Sequence, residues 1–157
     1  MAIFQPKKSQ FTKILITKML LLQLSTFLSI TKSSVSSPIT KNHFTYSQFV
    51  IPHPDKVYKG GEDAYYSSSK VLAVADGVGG WARHGVDPAL YSKKLCSEIP
   101  KLIENNWAKY RTNPIRLITD THSLNEEKGS STLVIVILPE DGSLLHTSYM
   151  GDSGYII

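Results

Sequence analysis

Residues 1–54 contain no aspartate, no glutamate and no arginine, and the whole chain holds one cysteine. A lone Cys96 excludes both an intrachain disulfide framework and a thiolate zinc cluster, and its apolar neighbours give it a helix-packing role. The acid-free region carries six lysines (Lys7, Lys8, Lys13, Lys18, Lys32 and Lys41). Of the 17 basic residues 11 therefore remain beyond it, against 13 acids, for a net charge of −2. The positive charge of the chain belongs to its N-terminal region and gives the rest no nucleic-acid face. A long apolar run is missing too. Lys18 splits the stretch 14–30, and Gln23, Ser25, Thr26 and Ser29 dilute it below the roughly 20 predominantly apolar residues of a stable membrane span. There is no internal repeat.

Residues 1–44 read as a targeting or disordered segment. Cationic, hydroxylated, acid-free composition fits an organellar transit peptide, for a mitochondrion or plastid, although such peptides favour arginine. Residues 19–30, followed by small residues at 33–37, fit equally the apolar core and cleavage region of a secretory signal. A tail with no address is the third reading.

Residues 45–157 have the texture of one folded domain. The pattern predicts a short edge strand over 49–53, confined there by Pro52 and Pro54. Strands follow over 64–68 and 71–75, around a polar turn. Asp87-Pro88 is an N-cap with proline at the first helical position, and Leu90, Leu95, Ile99, Leu102 and Ile103 recur at helical spacing behind it. Pro100 is expected to kink or divide that helix. Asn113-Pro114 opens a second, with Ile115, Ile118 and Leu124 as its apolar positions. A strand over 132–138, a turn at Pro139-Glu140-Asp141-Gly142 and a returning strand over 144–150 complete the chain.

The run Ala73-Val74-Ala75-Asp76-Gly77-Val78-Gly79-Gly80 ends a buried strand on a carboxylate and turns through glycine, which places a charge at a sheet edge open to ions. A turn centred on Ser69 and Lys70 sets Asp63 opposite Asp76. Facing carboxylates repel unless a cation lies between them, and hard divalent ions such as Mg²⁺ and Mn²⁺ prefer oxygen ligands. A second turn centred between Glu140 and Asp141 sets Asp152 opposite Gly129, leaving open space beside another carboxylate. Trp81 reads as a packing anchor.

In order, Gly61-Glu62-Asp63-Ala64, Asp76-Gly77-Val78-Gly79-Gly80, Gly129-Ser130-Ser131-Thr132 and Gly151-Asp152-Ser153 resemble the elements of the metal-dependent protein serine/threonine phosphatases of type 2C, the PPM-type phosphatases. The run continuing through Trp81 and Gly85-Val86-Asp87-Pro88 looks most like the branch found in mitochondria and plastids. The resemblance covers about residues 48–157. It implies an α+β fold: the first half of a four-layer α-β-β-α sandwich of antiparallel sheets, truncated at the C-terminus.

The resemblance further implies two Mg²⁺ or Mn²⁺ ions, with a third, weaker position. The residue matching Asp76 bridges the two ions and the carbonyl matching Gly77 completes one coordination sphere. The acid matching Glu62 holds metal-bound water, Asp63 supports the cluster, and Asp152 belongs to the third position. An activated water would attack phosphorus in a phosphoserine or phosphothreonine of a protein substrate, with no phosphoenzyme. Tyr58 stands where many members carry a phosphate-gripping arginine, with Lys59 as the adjacent substitute. Val78 stands where a histidine is common, with His84 as the nearest replacement. Two further aspartate ligands of the family have no counterpart here, so this chain is expected to be weakly stable and inactive. The rival readings are a phosphatase-like binding module without catalysis and an unrelated secreted β-rich interaction protein.

Overall fold

The computed structural model describes residues 41–142 and 144–157, so the apolar stretch and address read in the sequence lie outside the described residues. Of the segment 1–44 only its last four residues are described. Among them Phe44 is buried, and its amide donates to the Ser69 carbonyl at 2.8 Å.

Alternation in Val71–Asp76 (β2) buries Val71, Ala73 and Ala75 on one face and leaves Leu72, Val74 and Asp76 on the other. Strand β1, Asp63–Ser67, pairs with it antiparallel through the predicted turn, which the Ser68 hydroxyl closes by accepting from the Val71 amide at 3.0 Å. Asp63 faces Asp76, as the turn arithmetic required. Strands β3 (Leu133–Ile137) and β4 (His146–Met150) extend an antiparallel sheet of order β1-β2-β3-β4.

A 3-10 turn, Gly79–His84, and three α-helices connect β2 to β3: α1 (Pro88–Asn105), α2 (Trp107–Tyr110) and α3 (Pro114–Ser123). Both predicted caps form. The Asp87 carboxylate accepts from the Ala89 amide at 3.1 Å, and the Asn113 side-chain oxygen accepts from the Arg116 amide at 3.0 Å. Helix α1 packs on β1 and β2, and α3 on β3 and β4. Between them, Ala64, Ala73 and Ala75 meet the larger Tyr91, Leu95 and Ile99, with Leu133, Ile135 and Ile137 completing the core. Each fully buried aliphatic contributes about 1.5–3 kcal/mol relative to exposure. Cys96 lies in this core as the sequence suggested, and burial pushes its thiol up to about 12.

Several expectations are corrected. Residues 49–53 form no strand: Pro52 and Pro54 are two apart, so both missing N–H groups fall on the same edge, and Phe49 and Ile51 stay exposed. Pro54–Lys59 instead form a 3-10 turn. Pro100 does not divide α1, because the buried Leu95 and Ile99 and the partly buried Ile103 pin the helix to the sheet on both sides of it. On α3 the buried positions are Pro114, Leu117 and Thr121, with Ile118 partly buried; Ile115 and Leu124 face outward. Leu90 on α1 is likewise exposed. The second hairpin is offset. Its turn closes where expected, with Gly142 N–H donating to Pro139 O at 2.9 Å, but β4 starts only at His146. Leu133 consequently pairs with Met150, and continuing that register brings Asp152 level with Ser131 rather than Gly129.

Two carboxylates tie the periphery together. Asp120 is held down to about 2, chiefly by the Lys109 ammonium and further by Tyr110 and Arg116. Glu140 is held down to about 2, chiefly by Lys70. Both folded values lie below the ordinary 3.8 and 4.5, so the stability these groups lend is complete above that range and is lost as pH falls through about 2. The urea midpoint should therefore fall across that window, and less steeply in Asp120→Asn/Glu140→Gln. An unchanged slope in the double variant would refute the assignment.

Candidate metal and phosphate site

The site forms where β2 ends. The Asp76 backbone is clamped by the two residues just before β3: its carbonyl accepts from the Thr132 amide at 2.9 Å and from the Ser131 hydroxyl at 2.8 Å, and its amide donates to the Thr132 hydroxyl at 3.0 Å. Gly77 then donates to the Glu62 carbonyl at 3.2 Å, and Val78 to the Ser130 carbonyl at 3.0 Å. Glycine is required at 77 because a Cβ there would lie 2.6 Å from Pro88 O and 2.8 Å from Glu62 O. The Ser92 hydroxyl donates to the same Glu62 carbonyl at 2.5 Å, tying α1 to the start of β1.

With its backbone fixed, the Asp76 side chain stands exposed on the face away from the helices. Partial desolvation beside neighbouring parts of the chain raises its pKa first, the facing Asp63 raises it further by charge and by hydrogen bonding, and the charges of Asp152 and Glu62 add to the effect. Asp63 and Asp76 line one groove of about 480 Å³, together with Phe49, Tyr65, Val74 and Ser153. Asp152 is exposed and does not line that groove, although its charge reaches Asp76. The structure thus brings Asp63 and Asp76 together and leaves Asp152 at the margin. The paired oxygens suit a hard cation. Among the described residues, no three His, Cys, Asp or Glu side chains form a ligand group for a metal ion.

Glu62 turns the other way. It is 6% exposed, with Lys56 on Oε2 and Lys59 on Oε1 at 3.0 Å. Burial alone would push this carboxyl up, but the two ammoniums override it and hold it below its ordinary value. Lys59 also donates to Asp87 at 2.8 Å, which raises its own pKa and lowers that of Asp87. Lys59 is therefore a fixed internal charge. His84 sits apart, in a shallow pocket of about 320 Å³ with Val78, Gly80 and Trp81. Its ring meets Trp81 edge-on at 6.2 Å, while Trp81 Nε1 donates to the Ser130 hydroxyl at 2.8 Å in the anchoring role read from the sequence.

Sequence reasoning missed Lys56, the clamp from Ser131 and Thr132, and the second task of Asp87 beyond its cap. No spacing rule links Lys56 to Glu62; the 3-10 turn does.

No family model matches the chain. Over 107 residues it is 45% identical to "Probable protein phosphatase 2C 26" of Arabidopsis thaliana, covering 66% of this chain and 35% of that protein. Over 134 residues it is 37% identical to the "5-azacytidine resistance protein azr1" of Schizosaccharomyces pombe, covering 80% of this chain and 43% of that one. The X-ray structure of the photosystem II phosphatase PBCP superposes with a TM-score of 0.60 at 36% identity, over 65% of this chain and 40% of that one. The chain thus spans less than half the length of each of these relatives. The likeness in sequence and the likeness in fold agree: over the matched residues the chain is similar to members of the protein phosphatase 2C family.

Proposed function

We propose that the chain is part of a metal-dependent phosphatase acting on phosphoserine and phosphothreonine in proteins. One observation carries the reading: Asp63 and Asp76 face each other in a shared groove at a backbone locked on both sides. Such a pair has acceptor-only oxygens and a surplus of negative charge, which suits Mg²⁺ or Mn²⁺. Asp76 and Asp63 would hold the cation, with the Gly77 carbonyl and Asp152 as further oxygen donors. Divalent ions there would acidify water and offset charge on a phosphoryl group.

The described carboxylates are too few to enclose a cation, so this chain alone should bind one weakly and turn over little phosphoester. That same shortage favours, as the second reading, a phosphatase-like module that binds without catalysis. The composition of residues 1–54 supports delivery to a mitochondrion or plastid, with the secretory pathway as alternative. No helix among the described residues is long and apolar enough to cross a membrane.

The decisive experiment measures phosphate release from a phosphothreonine peptide by the gene product that contains this chain. Release with Mn²⁺ that stops in chelator and in Asp76→Ala is expected. Cation binding without any release would favour the binding module. Release indifferent to chelator would overturn the metal assignment.

A further inference from the structure

A phosphate monoester carries close to two negative charges near neutral pH, and Asp63, Asp76 and Asp152 all repel it. Beyond any divalent ions held there, a site that receives it gains from a fixed positive charge close by. Two ammoniums contact Glu62, the acid adjoining Asp63 and one whose charge reaches Asp76: Lys56 and Lys59. Their situations differ. Lys59 is 18% exposed and held between two carboxylates, Glu62 at 3.0 Å and Asp87 at 2.8 Å. Lys56 is 34% exposed, and among the described residues its ion pair is with Glu62.

The glycine-rich turn leaves Lys56 accessible. A Cβ at Gly79 would stand 3.1 Å from both Lys56 Nζ and Glu62 Oε2, so the absent side chain keeps that approach clear. The doubling of cations on one buried acid also needs a reason. A buried carboxylate stripped of its partner is strongly destabilising, so a lysine can leave Glu62 only if another stays.

Resting on the phosphoester reading above, we propose that Lys56 receives the substrate phosphate, exchanging its ion pair with Glu62 for phosphate oxygens. Lys59 is the positioning residue that keeps Glu62 neutralised meanwhile and relays its hold to the cap of α1 through Asp87. Lys56, two positions before Tyr58, thereby supplies the cation from the 3-10 turn.

The test titrates inorganic phosphate, with Mg²⁺ present, into the chain carrying isotope-labelled lysine, following the side-chain amine signals by NMR. The Lys56 signal, assigned with Lys56→Arg, should move with phosphate while that of Lys59 stays nearly still. Lys56→Gln should weaken phosphate binding about tenfold or more, whereas Lys56→Arg keeps it. Lys93→Gln should bind as the parent does; this lysine lies 3.5 Å from the Lys59 carbonyl rather than on Glu62. A moving Lys59 with a silent Lys56, or undiminished binding by Lys56→Gln, overturns the assignment and leaves the phosphoester reading intact. No phosphate binding by the parent chain overturns the assignment of Lys56, while the phosphoester reading stands or falls by phosphate release from the phosphothreonine peptide. Should Lys56→Gln fail to fold, the parent's lysine signals decide alone.

Discussion

Gly77→Ala should cost about 3 kcal/mol or more, because the atoms a methyl would meet are backbone and cannot step aside. Pro88 O lies 2.6 Å from the position of the new Cβ, Glu62 O 2.8 Å and Pro88 C 3.1 Å. Relief would require α1 to lift from the end of β2, breaking the bond from Gly77 N–H to Glu62 O and disturbing the Ser92 hydroxyl on the same carbonyl. For a domain of this size the melting temperature should fall by roughly 10 °C or more. Gly80→Ala is the matched control. No atom comes within 4 Å of a Cβ there, and its backbone is not left-handed, so a change within about 0.5 kcal/mol is expected. Thermal melts of the two variants, followed by circular dichroism, settle the matter. Similar melting temperatures would mean that the approach of α1 to this turn is not a constraint.

Asp76→Asn should act in opposite directions with and without divalent ions. The substitution preserves shape and both backbone clamps while removing a charge beside Asp63, Asp152 and Glu62. A carboxyl whose folded pKa is raised is ionised at a cost above that pKa, so neutralising it stabilises the chain at neutral pH. The gain, for one like-charge pair across strands, is about 0.5 kcal/mol. With Mn²⁺ or Mg²⁺ the order reverses. A folded state that binds a cation gains about 2.7 kcal/mol at a hundred times the dissociation constant, and the variant, short of one of two facing carboxylates, should forfeit most of that. Melting curves across a cation series should therefore cross. Two parallel series, with equal response to the ion, would remove Asp76 from any metal site.

How much of this was legible in the sequence depends on whether a local rule governed it. The facing of Asp63 and Asp76 follows from a two-residue turn, whose geometry leaves a single register. Asp87 and Asn113 were readable as caps because a short polar side chain before proline has a local partner in its own first turn. The second hairpin broke the same arithmetic: extra residues on its returning side shift the register although the turn itself is where it should be. Ile115 and Leu124 looked like a helix face, yet the neighbouring α1, β3 and β4 decide which side of α3 is covered, and Leu117 and Thr121 are the residues buried there. The lysines on Glu62 were beyond reach for a related reason. Their meeting depends on a left-handed Gly60 closing the 3-10 turn, and on α1 bringing Asp87 alongside.

Asp87 begins a helix and also anchors the series of charges running through Lys59 and Glu62 to Lys56. The glycine turn is therefore not a portable cassette. Transplanted between two strands of a foreign scaffold it would arrive without the carbonyls it rests on and without the cations that calm its neighbouring acid. A graft that keeps the architecture of this corner must carry the opening turn of α1 along with it.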